Sequence, residues 1–221
     1  MKKTVWTLNI DYAPEITFLT YPLIERYAKK ICADFRVISE RKFPHLPVVC
    51  EKLQIYELGK RNDWNLYVDG DTLIHPDFFD LTEHISKDTV MHNGNDMAGN
   101  RWRYDRFFRR DGRNLGACNW FTLGSDWCIE LWKPLDDLTL EQALENIHPT
   151  ANELRTVITK EHLLDDYILS RNIAKYGLKF LTVIDLLRRL GDQGDYLWHQ
   201  YTLTTEEKIV AMKQILQSWK L

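Results

Sequence analysis

The stretch Trp64-Asn65-Leu66-Tyr67-Val68-Asp69-Gly70-Asp71-Thr72-Leu73-Ile74 decides how the chain is read. Trp64 to Val68 reads as a strand, and Leu66, Tyr67 and Val68 pack apolar side chains next to one another, as at the buried end of one. Two carboxylates follow, separated by a single glycine. Ionised carboxylates are costly where a strand leaves a core unless a cation meets them. A divalent metal chelating a diphosphate is such a cation, because hard oxygen ligands suit Mg²⁺ or Mn²⁺ and these ions keep phosphates as co-ligands. Gly70 is expected to let the backbone turn tightly and present both acids at the strand's C-terminal edge. A solvated Asp-Gly turn is the competing reading.

Upstream, strand-like and helix-like segments alternate. Thr4 to Ile10 is β-rich, and Pro14 opens a helix with Phe18, Tyr21, Ile24, Tyr27 and Ile31 on one face. Phe35 to Ile38 is a second strand, and Val49 to Gly59 a helix with Cys50, Leu53 and Tyr56 facing inward. This βαβαβ rhythm implies an α/β fold, a parallel sheet with helices on both faces. Ligands of such sheets sit beyond the strands' C-terminal ends, where Asp11 and the Asp69/Asp71 pair fall. Downstream, Asn119 to Leu123 reads as a strand, and Asp126 to Trp132 and Leu140 to Asn146 as short helices. Glu161 to Gly177 reads as a helix and Leu178 to Ile184 as a strand. Thr204 and Glu207 have capping-box spacing before a last helix to Trp219.

With 221 residues, no repeat and no linker, one domain is expected. Its halves are expected to divide at about residue 75, into 1–75 and 76–203, followed by the C-terminal helix (204–221). Twenty-nine basic against 32 acidic residues leave a net charge of −3, which gives no reason to expect a nucleic-acid partner. Cys32, Cys50, Cys118 and Cys128 form no Cys-X-X-Cys pair, so reduced thiols in a cytoplasmic, soluble protein are the simpler expectation, with peripheral membrane association left open. No apolar run approaches the roughly 20 residues of a membrane-spanning helix.

A second landmark is Leu164-Asp165-Asp166-Tyr167-Ile168-Leu169-Ser170-Arg171, running to Gly177. Adjacent helical residues point about 100° apart, so Asp165 and Asp166 are expected not to face one site. One would accept a hydrogen bond from the backbone or Arg171, while the other projects into a cleft as a general base. Acids that favour the dipole at a helix N-terminus are the alternative.

Together these motifs resemble the nucleotide-sugar-dependent glycosyltransferases of the GT-A fold, over roughly residues 4–200. The resemblance implies a mixed, mainly parallel Rossmann-like sheet, with Asp69-Gly70-Asp71 as the family's Asp-X-Asp metal motif. Asp165-Asp166 through Arg171 resembles the Glu-Asp-X-X-Leu-X-X-Arg segment of inverting members, with Asp165 in place of Glu. That maps the catalytic base to Asp166, with Asp165 as its rival. His199 falls where many members supply a late histidine to the metal. The implied cofactor is Mn²⁺ or Mg²⁺, the implied donor a UDP-hexose, and the implied acceptor a glycan or other hydroxyl.

The same resemblance places donor contacts elsewhere. Lys52 lies where relatives carry a lysine near the donor, although a solvated helix face is the plain reading. Asn9, Asp11 and Tyr12 end the first strand, where base and ribose would sit. Gly116 to Trp120, with Cys118 and Asn119, falls where relatives shape the sugar pocket. The segment Arg101-Trp102-Arg103-Tyr104-Asp105-Arg106-Phe107-Phe108-Arg109-Arg110 interleaves arginines with aromatics, able to stack on rings and pair with phosphates. Arg101 and Arg103 are its candidates for the donor pyrophosphate. A sugar-nucleotide nucleotidyltransferase is the nearest other enzyme, but its Gly-rich phosphate loop is missing after the first strand. A non-catalytic carbohydrate- or nucleic-acid-binding module is the third class.

Overall fold

The computed structural model describes residues 1–94, Arg103 and Tyr104, 119–156 and 158–221. Arg101, Cys118 and most of the arginine–aromatic segment lie outside these residues. Strand β1 (Lys3–Leu8) leads into helix α1 (Pro14–Lys30), then strand β2 (Asp34–Ile38). A 3-10 stretch, Val48–Gln54, continues into the single turn α2 (Ile55–Leu58), and β3 (Trp64–Val68) follows. The α-helix expected over Val49 to Gly59 is therefore mostly 3-10, which turns Lys52 inward along with Cys50 and Leu53.

Beyond β3 come β4 (Leu73–Ile74), β5 (Thr89–His92), β6 (Phe121–Ser125), α3 (Leu140–Glu145), α4 (Leu164–Lys175), β7 (Lys179–Thr182), α5 (Val183–Leu190), β8 (Leu197–Trp198) and α6 (Thr205–Ser218). The main sheet has the order β2-β1-β3-β6-β5-β7, and β4 pairs with β8 in a two-stranded ribbon. β1 is parallel to β2 and β3, and β5 to β7, whereas β6 runs against both β3 and β5. The sheet is thus mixed and mainly parallel, flanked by helices on both faces.

Period-two alternation explains how both faces are buried. In β1, Trp6 and Leu8 point into the layer holding α4, while Val5 points into the layer holding α1 and α5. In β3, Tyr67 joins the first layer and Trp64, Leu66 and Val68 the second. The inward face of α1 carries Ile16, Thr20, Ile24, Tyr27 and Ala28. Phe18, assigned to that face from spacing, is 80% exposed, because Ile16 and Thr20 take the inward stripe.

Two further expectations shift. The strand over Leu178 to Ile184 ends at Thr182, whose side chain accepts from the Asp185 N–H and starts α5. The strand starting at Asn119 begins instead at Phe121. Leaving Asn119 in a turn matters below.

His92 closes β5 fully buried, and neither ring nitrogen has a hydrogen bond among the described residues. Burial, and then the charge of Lys52, push its pKa down to about 3. Below pH 6.5 the unfolded chain takes up a proton that the folded imidazole refuses, so stability must fall as pH drops toward 3. From pH 7.5 to pH 5 this single group should cost about 2 kcal/mol. His92→Leu should flatten the fall in melting temperature over that range; an equally steep fall in the variant would remove His92 as its source.

Candidate functional site

The C-terminal ends of β1, β3, β5 and β7 lie along one edge of the sheet, and antiparallel β6 begins at that same edge. Val68 is in register with Phe121, so the turn before β6 comes alongside the acids that follow β3. The Asp69 N–H donates to the Trp120 carbonyl at 2.8 Å and fixes that approach. Gly70 fits because of crowding. A Cβ there would stand 2.7 Å from the Leu8 carbonyl oxygen and 3.1 Å from the Tyr12 ring, and Gly70 carries no left-handed φ. The tight-turn reason expected from the sequence gives way to close packing. Gly70→Ala should cost about 1–3 kcal/mol through overpacking against backbone that cannot yield. A melting temperature within a degree of the parent would contradict that.

Asp69, Asp71 and His199 converge, each offering one ligand atom within 4.8 Å of the others. His199 arrives from the turn after β8, which β4 pins by pairing Leu73 with Trp198. Its ring stacks on Trp120 at 4.9 Å. His199 Nε2 lies 3.3 Å from Asp71 Oδ1 and 3.8 Å from Asp69 Oδ2. Without hydrogen-bond geometry there, Asp71 Oδ1 stays buried with no hydrogen bond among the described residues. A buried carboxylate oxygen left so is costly alone, and together with the His199 Nε2 that faces it is what a divalent cation takes up. Two carboxylates and an imidazole suit Mn²⁺ or Mg²⁺, so the residues present fit the group. Lys208 of α6 forms an ion pair with the other oxygen of Asp71. Burial works against the Asp71 charge, but His199 and then Lys208 outweigh it and hold the carboxyl well below the ordinary range.

Lys52 joins the two acidic motifs. Its Nζ lies 2.6 Å from Asp165 Oδ2 and 3.1 Å from Asp69 Oδ1, over the Tyr67 ring at 4.3 Å. Burial alone would push the ammonium down, yet Asp165 and then Asp69 raise it above an ordinary lysine, so it stays charged. The plain reading of Lys52 as a solvated helix lysine is overturned, since it is 1% exposed. Asn119 adds a hydrogen bond to Asp165 at 2.9 Å, a reach its turn position allows.

Asp165 and Asp166 both line one cavity of about 510 Å³, together with Asp69, Asp71, His199, Asn119 and Tyr12. The expectation that they cannot share a site fails because α4 meets the cavity end-on. Around a helix's first turn, residues 100° apart still border the space ahead of it. Arg171 does not serve either acid in the way expected; its recorded ion pair is with Asp137 at 2.5 Å. Asp166 accepts from the Tyr104 hydroxyl at 3.2 Å and stands 4.0 Å from Arg103. Burial, and then Asp166, push the Tyr104 phenol well above its usual value, which keeps it a donor. Arg103 lines the same cavity but gives its main pair to buried Glu153 at 2.6 Å, and Tyr201 bonds both. Asn9 and Asp11 are exposed and are not among the cavity's lining residues, although Asp11 holds a left-handed φ of 60° that sets the turn into Tyr12. Lys208 and Glu153 escaped the sequence reading, since neither sits in a motif and long-range packing alone brings them here; Tyr104 lay in the arginine–aromatic segment but was given no role of its own.

No protein-family model matches the chain, and no curated protein does. Among solved structures, the chain is similar to the galactosyltransferase LgtC in complex with donor and acceptor sugar analogues. The TM-score is 0.56 at 12% identity, over 98% of this chain and 99% of the other. It is similar to an active-site mutant of LgtC with a TM-score of 0.52 at 12% identity, over 96% and 95% of the two chains. A glycosyltransferase involved in glycosylation of the major capsid of PBCV-1 gives 0.50 at 11% identity, over 97% and 100%. These likenesses show the fold, which is GT-A.

Proposed function

We propose that this GT-A chain is a metal-dependent glycosyltransferase moving a hexosyl group from a uridine-diphosphate sugar to an acceptor hydroxyl, with inversion. The observation that carries it is the meeting of Asp69, Asp71 and His199 in one cavity with Asp166. Asp69, Asp71 and His199 would hold Mn²⁺ or Mg²⁺. When bound, the ion supplies Lewis-acid neutralisation of the charge that develops on the departing nucleoside diphosphate. Tyr12 and Val49, on the same cavity wall, offer apolar surface to the nucleoside. Lys52 pairs with both Asp69 and Asp165, and Asn119 also bonds Asp165, so Asp165 is tied up in contacts and serves position. Asp166 takes the proton from the attacking hydroxyl. Arg101 and Cys118, outside the described residues, remain candidates for the donor loop. Among the described residues no helix is long and apolar enough to cross a membrane. A cytoplasmic place and a glycan acceptor belong to the same proposal.

A nucleotidyltransferase would need an N-terminal phosphate loop, and β1 leads instead through the Asp11–Tyr12 turn. Hydrolysis or transfer from UDP-glucose that requires Mn²⁺, without pyrophosphate exchange, is the expected result. Calorimetry should show UDP binding at least about tenfold tighter than GDP, a difference of about 1.4 kcal/mol. GDP binding the tighter of the two would overturn the uridine assignment.

A further inference from the structure

Behind the Trp120–His199 stack lies a second cavity of about 260 Å³. It shares Trp120, His199 and Gln200 with the first. Its own walls come from the same sheet edge: Asn93 just past β5, Ile184 and Leu187 on α5, and Tyr196 before β8. We propose that this cavity is the acceptor subsite and takes one neutral pyranoside ring, an inference that rests on the glycosyl-transfer reading above.

Asn93 is the polar anchor. It is 6% exposed, and its side-chain Oδ1 is buried without a hydrogen bond. A buried amide oxygen left so is costly, and a sugar hydroxyl is a donor of the right reach. Tyr196 provides a fixed aromatic wall, because its hydroxyl bonds Asp192 at 2.9 Å and Phe78 stacks on it at 5.4 Å. A rigid ring beside the aliphatic Ile184 and Leu187 matches the C–H face of a pyranose, with its hydroxyls directed to Asn93 and Gln200.

Charge selects among sugars. Among the described residues the lining contains no lysine or arginine, and Asp195 stands exposed at the rim. A phosphate or uronate would meet a negative group and, among the described residues, no lysine or arginine to pair with. The volume lies below the roughly 300 Å³ at which ligand pockets usually begin, so it suits a single ring. Gln200 lines both cavities, so a hydroxyl bonded to it stands at the boundary with the donor cavity.

Saturation-transfer NMR on the protein loaded with UDP and Mn²⁺ tests this, with methyl β-glycosides of glucose, galactose and N-acetylglucosamine as probes. Methyl β-glucuronide is the anionic control. At least one neutral glycoside should bind and the glucuronide should not. Ile184→Trp, which fills the cavity from a half-buried helix position, and Asn93→Ala should each weaken that binding roughly tenfold. UDP titration reports separately on folding and on the donor cavity. If UDP binds but no neutral glycoside does, or both variants bind it like the parent, the subsite is wrong while the donor reading stands. Equal binding of the glucuronide also overturns it. If glycoside binding is lost in the variants although UDP never binds with Mn²⁺, the sugar site survives and the donor reading fails.

Discussion

Asp166→Asn should lower glycosyl transfer by roughly 10²–10⁴ while leaving UDP affinity in Mn²⁺ unchanged, which is the span expected for losing a positioned general base. The asparagine keeps the shape and still accepts from Tyr104, so the cavity should hold. Asp165→Asn makes the sharper comparison. Because Lys52 lies 2.6 Å from Asp165, removing that charge leaves a buried ammonium short of a partner. That variant should lose melting temperature as well as activity, whereas Asp166→Asn should lose activity alone. Transfer intact in Asp166→Asn would exclude the base assignment, and a product with the donor's anomeric configuration would exclude inversion.

Asp71→Ala should abolish Mn²⁺-dependent UDP binding, a loss of about 2.7 kcal/mol of ligand stabilisation at a hundredfold excess over Kd. Thermal shift with and without Mn²⁺ and UDP reads this directly. The variant relieves the crowding beside Asp69 but leaves Lys208 without this partner, so the unliganded melting temperature should fall while the protein still folds. A parental thermal shift in Asp71→Ala would remove the residue from the metal site.

How much of this was legible in the sequence depends on how local each cause is. Trp64 to Val68 could be bounded to the residue, because an apolar run interrupted only by Asn65 ends at two carboxylates. The last helix was equally plain: Thr204 and Glu207 form both bonds of the capping box. Helix α5 was hidden because Val183 and Ile184 are β-branched and continue the run of β7, so Thr182 looked like strand rather than cap. The two-residue strands β4 and β8 carry no periodicity, yet their pairing aims His199. For that residue only the family resemblance gave a reason. The reversal of β6, which brings Asn119 beside the acids, leaves no trace in alternation, since parallel and antiparallel strands share the same period.

Lys52 reaches Asp69 at the end of one strand and Asp165 on a helix 96 positions further along the chain. Evolution therefore meets positions 52, 69 and 165 as one heritable unit. A neutral residue at 52 would leave buried Asp165 and part-buried Asp69 without their shared cation, and losing either acid would leave the ammonium half-matched. Drift at one of the three should survive only alongside change at another. In a double-mutant cycle, Lys52→Met combined with Asp165→Asn should then cost less than the sum of the single changes.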